Sequence, residues 1–152
     1  ESEWANDREV TFIRAVCQNY TDLEKGILFC ALRGAKSITI VNALGGDRTD
    51  HSLVNFSILK RYHGKSYKIQ LVTKKEVIEF LKNETVNFKG SSGAKFGLFG
   101  FPKARAFSKG LLWEMNDYPL ELGLTESSCN ILRDSNITIT VKGEALMIRP
   151  NY

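Results

Sequence analysis

Cysteine is scarce and oddly counted. Cys17, Cys30 and Cys129 are widely spaced, which speaks against a disulfide framework and favours reduced, buried thiols in an intracellular chain. Histidine is scarcer still, with only His51 and His63. Twelve residues apart and beside predicted turns, with Lys60 or Lys65 nearby, they are all that an acid–base RNA cleavage would have to work with. Asp47, Asp50 and His51 lack an obvious fourth ligand, so no metal site is assigned. No apolar run approaches the about 20 residues that cross a bilayer, and the polar start from Glu1 to Asp7 has neither a basic n-region nor an apolar h-region. A membrane partner is therefore not expected. Phosphate-loop signatures, nucleophile triads, internal repeats and low-complexity tracts are missing as well, and no catalytic residue or cofactor is indicated.

The most telling absence is of negative charge. From Thr85 to Trp113 there is no Asp or Glu, while Lys89, Lys95, Lys103, Arg105 and Lys109 alternate with Phe88, Phe96, Phe99, Phe101 and Phe107. That window carries +5 where the whole chain carries +4. It also holds Gly90, Gly93, Gly97, Gly100, Gly110 and Pro102, so cations, flat rings and pliable backbone coincide, as on surfaces that bind polyanions. Arg48, Lys60, Arg61, Lys65, Lys68, Lys74 and Lys75 are cations that would extend such a surface. The same rings also suit a core, and the same lysines a solvated rim.

A chain of 152 residues, 43% hydrophobic and 25% charged, fits a single globular domain over 1–152. Its lack of an initiator Met suggests either a mature secreted chain or a domain excised from a larger protein. Sequons at Asn19, Asn55, Asn83 and Asn136 would carry sugar on a secreted chain.

Apolar spacing at Val10, Ile13, Val16 and Cys17 predicts a helix over 7–18, and the capping box Thr21 to Glu24 predicts another over 22–33, stopped by Gly34. Ser37 to Val41 alternates as a strand. Leu53–Tyr62 and Ser66–Val72 read as strands joined in a hairpin by His63–Lys65. A second capping box, Thr73 to Glu76, followed by Val77, Ile78, Phe80 and Leu81, predicts an inserted helix over 74–83, with Lys74 and Lys75 in its first turn. Lys95 to Phe101 reads as a kinked strand, a candidate edge, ended by Pro102; 103–115 fits helix or strand. Asn136–Val141 and Ala145–Arg149 form a closing hairpin around Lys142-Gly143. The class expected is α+β, with N-terminal helices, a mostly antiparallel sheet and one inserted helix.

Trp113-Glu114 suggests a further pocket. A methylated guanine cap is a cationic base, which aromatic faces and a carboxylate would hold. If 103–115 is a strand, however, the two side chains face apart, and Trp113 reads more simply as a core anchor. The element order resembles that of small viral polymerase cap-binding modules without a shared motif, and the chain is assigned to no family on that basis. The leading expectation is a non-catalytic domain that binds RNA, or less readily DNA, through Lys89, Lys95, Phe96, Phe99, Lys103, Arg105 and Lys109. A protein-interaction module meeting an acidic protein partner, and a secreted glycoprotein domain, are the alternatives.

Overall fold

The computed structural model describes residues 13–152, and the chain divides into two compact units, Glu1–Gly34 and Ala35–Tyr152. In the first, the helix α1 (Asp22–Leu32) begins where the capping box requires: the Glu24 amide donates to Thr21 Oγ1 and the Thr21 amide to Glu24 Oε2, each at 3.2 Å. It ends at Gly34, whose φ of 81° supplies the left-handed stop. The helix expected over 7–18 is not seen in residues 13–18, which have no helical structure; 7–12 lie outside the described residues.

The second unit opens with β1 (Ser37–Val41), as alternation predicts, and then departs from expectation. Residues read as a strand form the helix α2 (Thr49–Tyr62). Ile58, Leu59 and Tyr62 are its buried residues, one apolar stripe at helical spacing. Phe56 and Tyr62 favour strands locally, but a helix here is what lets β1 run parallel to β2 (Lys68–Val72), with Ile38 beside Ile69 and Ile40 beside Leu71. Parallel neighbours need a long crossover, so His63–Lys65 is the exit from that helix rather than a hairpin. The helix packs on β2 and on β3 (Glu76–Lys89).

That third strand corrects the helix expected over 74–83. Thr73 does bind the Glu76 amide through its hydroxyl, at 3.0 Å, as a cap would. Its own amide, however, donates to the Glu76 carbonyl at 2.8 Å, which closes a tight turn into an antiparallel strand. Lys74 and Lys75 therefore sit in a turn, not against a helix dipole. Val77, Ile78, Phe80 and Leu81 are all buried because both faces of this end of the strand are covered, and two-sided burial imitates helical spacing.

The remaining strands, β4 (Lys95–Lys109), β5 (Tyr118–Glu121), β6 (Ser127–Ile131) and β7 (Asn136–Pro150), complete a seven-stranded sheet in the order β1-β2-β3-β7-β4-β5, with β6 also on β4. The kinked strand anticipated at 95–101 is interior, flanked by β7 on one side and by β5 and β6 on the other, and it runs on past Pro102. No hairpin forms at Lys142-Gly143. Three strands instead slip register at one level, between Lys82 and Glu84, between Gly100 and Ala104, and at Gly143, whose amide donates to Asn83 Oδ1 at 2.7 Å. Only glycine serves at 143, because φ is 102° and a Cβ would stand 2.8 Å from the Lys103 carbonyl oxygen. Leu98, Ala106, Leu111, Leu132, Ile139 and Met147 form part of the core beneath. The coarse α+β class with a mostly antiparallel sheet holds; its inserted helix lies at 49–62.

Candidate functional site

The residues expected to gather into a basic, ring-lined surface do not. Phe96 is 1% exposed and stacks on Phe88 inside the core, with ring centroids 6.1 Å apart. Phe99 and Phe101 are half-buried, and Phe101 packs edge-on against Phe80. Lys103 faces Glu121 at 4.0 Å, and Arg105 binds Asp117 at 2.6 Å. Asp117 is held below the usual carboxylate range chiefly by that Arg105 hydrogen bond. Two cations of the acid-free window thus meet acids across the sheet, from β5 and the residue before it. Lys89 at the end of β3 and Lys109 at the end of β4 flank the start of β7, beside Asn136 and Thr138, and Lys95 lies at the start of β4. The three cysteines expected to be buried are exposed.

Glu114 is not available to a ligand in the manner expected. Its carboxylate accepts from Ser108 Oγ at 2.5 Å and from the Gly110 amide at 2.7 Å, and Arg133 approaches to 3.4 Å. Trp113, read as a core anchor, is 58% exposed. Its backbone is clamped on both sides of the Cα by Asn130, which is 4% exposed: the Trp113 amide donates to Asn130 Oδ1 at 3.2 Å, and Asn130 Nδ2 donates to the Trp113 carbonyl at 2.8 Å. A buried amide therefore fixes the backbone from which the indole projects into solvent. Beside it lies an open hollow of about 340 Å³, formed with Glu126, Ser127, Ser128 and Cys129 of β6 and the turn before it.

A second constellation sits where β1 feeds α2. Asn42, Gly45 and Gly46 have φ of 56°, 84° and 79°, so the chain turns through left-handed conformations that glycine adopts without strain. The loop is pinned by the helix it leads into: Asn55 Nδ2 donates to the Ala43 carbonyl at 2.6 Å and the Gly45 amide donates to Ser52 Oγ at 3.3 Å. Arg48, at the N-cap, offers the helix amides no side-chain capping hydrogen bond at the positive end of the helix dipole. Its guanidinium instead grips Asp50 through two contacts, at 2.9 and 2.6 Å. That pairing raises the Arg48 pKa and lowers that of Asp50. A strand, a glycine turn and a helix N-terminus carrying an arginine form an anion cradle at the carboxyl end of a parallel strand.

His51 and His63 cannot act together. They stand twelve residues apart on α2 and its C-cap, about 18 Å along the axis, and His63 is engaged by Glu84 at 3.4 Å and by the Phe80 ring. Among the described residues no group of three or more His, Cys, Asp or Glu is placed to hold a metal ion.

The signal for the cradle was present in the sequence as Gly45-Gly46 ahead of Arg48, but reading 53–62 as a strand concealed the helix that gives those glycines meaning. Nothing local marked Asn130. The cradle and the indole share one end of the sheet, since register partners run Val41–Val72–Val77–Arg149 across to β4, and Phe96–Asn130 beyond it. Five strand spacings separate β1 from β6, about 24 Å along the sheet.

Compared with known proteins, residues 1–71 match the model of the thiamin pyrophosphokinase catalytic domain, a stretch that closes within β2. Over 141 residues the chain is 29% identical to thiamine pyrophosphokinase 1 of Arabidopsis thaliana, covering 85% of this chain and 52% of that protein. Over 142 residues it is 28% identical to thiamine pyrophosphokinase 3 of Oryza sativa subsp. japonica, covering 86% and 52%. The chain spans about half the length of these curated relatives. The crystal structure of thiamine pyrophosphokinase from Bacillus subtilis aligns with a TM-score of 0.79 at 24% identity, over 90% of this chain and 65% of that one. The fold is the thiamin pyrophosphokinase fold. These likenesses are to a catalytic enzyme, and they overturn the expectation of a non-catalytic domain whose partner is RNA, another nucleic acid or an acidic protein.

Proposed function

We propose that this chain contributes to a thiamin pyrophosphokinase, an enzyme that binds ATP and thiamine and moves a pyrophosphoryl group from the first to the second. The observation that carries this reading is the Gly45–Asp50 cradle on α2, which lies inside the segment matched by the catalytic-domain model. Phosphate oxygens are stabilised where helix amides converge, and Arg48 can exchange its Asp50 partner for a phosphate in the planar, two-point geometry that guanidinium favours. In the transfer, the alcohol oxygen of thiamine attacks the β-phosphorus of ATP. The bond from that phosphorus to the oxygen bridging toward the α-phosphorus breaks, AMP leaves, and the alcohol proton passes to solvent. Arg48 and the helix amides offset the charge that builds on the transferring group.

Thiamine carries two flat rings, one of them cationic, and the exposed Trp113 face beside the Glu126–Cys129 hollow suits such a ligand. Cradle and indole lie five strands apart along one sheet, and a bond between their ligands needs contact near 3 Å. In this reading each reaction centre takes its phosphate half from one copy of the chain and its ring half from another. The test is AMP release from ATP and thiamine by the complete protein. Arg48→Ala and Trp113→Ala should each abolish turnover, and mixing the two variants should restore roughly a quarter of it, the statistical yield of one intact centre per mixed pair. Absence of AMP release from the unaltered protein would refute the activity, and absence of restoration would refute the shared centre.

A further inference from the structure

The geometry points to Glu126 as a specificity-determining residue that makes the Trp113 hollow selective for a cationic heteroaromatic ring over a neutral one of the same shape. This inference rests on the thiamine reading above. Glu126 is the one charged side chain among the residues lining the hollow, and it is negative in a chain of net +4. Its carboxylate is not free to drift, because Oε1 accepts the Gly123 amide at 2.6 Å, an anchor that leaves Oε2 open. The lining also includes the exposed indole of Trp113, whose backbone is locked by Asn130, so that only its side-chain torsions have to be ordered on binding. Asn130 itself is 4% exposed, with Oδ1 accepting from Trp113 and Ile131 and Nδ2 donating to Trp113, and so offers a ligand almost no surface. Ring recognition therefore falls to the indole, the Ser127 and Ser128 hydroxyls and the single carboxylate.

Two of those features act together on positive charge. An indole face attracts a cation through its quadrupole, and an anchored carboxylate adds Coulombic attraction that salt weakens. Neither rewards a neutral ring beyond stacking. Glu114, the acid adjacent in sequence, is consumed by Ser108 and Gly110, so the carboxylate that a cationic ring needs comes from a turn thirteen residues away. The physical requirement read from the sequence was sound, and tertiary packing assigned it to a different residue.

The test is a titration of the complete protein, followed by Trp fluorescence and by heat, with thiamine and with an isostere in which a neutral thiophene replaces the thiazolium. Glu126→Gln keeps an oxygen for the Gly123 amide and removes the charge. The expected result is a three- to five-fold weaker thiamine affinity, on the scale of an exposed ion pair. Its dependence on salt should flatten, and affinity for the isostere should not change. Equal weakening of both ligands, or of neither, overturns the assignment to charge while leaving the thiamine reading intact. No binding of either ligand by the unaltered protein, with no response lost in Trp113→Ala, removes the thiamine reading and this inference together.

Discussion

The βαβ edge, residues 37–72, and the antiparallel body built from β4 to β7 use the same residue types for opposite ends. Glycines at the edge, Gly45 and Gly46, have positive φ and nothing within 4 Å of where a Cβ would stand; they shape a loop that faces solvent. In the body, Gly100 and Gly143 would bring a Cβ to 2.4 Å of the Leu120 carbonyl oxygen and 2.8 Å of the Lys103 one; they let strands cross at a bend. Cations are paired in both regions, but differently. Arg48 grips Asp50 in the helix that it caps, whereas Lys103 and Arg105 meet acids from across the sheet. Exposure of a charge or a glycine thus says little until its surroundings are known: the edge pairs its arginine locally and leaves its glycines unobstructed, and the body spends both on contacts between strands.

The sharpest way to break that contrast is to add one methyl group on each side of it. Gly143→Ala should cost about 3 kcal/mol or more, since the backbone must leave a left-handed conformation and a carbonyl must move. A thermal melt would show this as a collapse of the transition. Gly46→Ala should cost only about 1–2 kcal/mol, from strain alone, yet it should abolish ATP binding measured by calorimetry. Equal stability losses at the two sites would dissolve the distinction.

A bridge between the regions gives a smaller effect. Lys60 of α2 and Lys82 of β3 reach Glu144 of β7 at 2.7 and 2.9 Å, and their hydrogen bonds, Lys60 first, hold that carboxylate down at about 2. A carboxylate lowered on folding adds stability that is whole above its ordinary pKa near 4.5 and is lost as pH falls through about 2. Acid unfolding followed from pH 5 to pH 2 should therefore be shallower in Glu144→Gln. Smallest of all, Lys103→Ala and Arg105→Ala should leave the melting temperature within about 3 °C, as exposed pairs do. A larger fall would mean that these cations matter to the body more than their exposure implies.

Where backbone preference and burial agreed, the sequence was sufficient: the Thr21–Glu24 box, the Gly34 stop and the alternation of Ser37 to Val41 each specify their element through contacts within a few residues. The coarse α+β class followed, as did the scarcity of acids in 85–113. Where burial on two faces competes with local preference, neighbours distant in sequence decided. Val77 to Leu81 became a strand because both of its faces are covered, and Leu53 to Tyr62 became a helix because β1 and β2 run parallel and need a crossover between them. The fates of Trp113, Glu114 and the 85–113 cations belong to the same class. An exposed indole on a backbone held by Asn130, a carboxylate consumed by Ser108 and Gly110, and the pairing of Lys103 with Glu121 and of Arg105 with Asp117 are products of contacts across the sheet, and short-range sequence carries no energy term for a partner that only folding brings near.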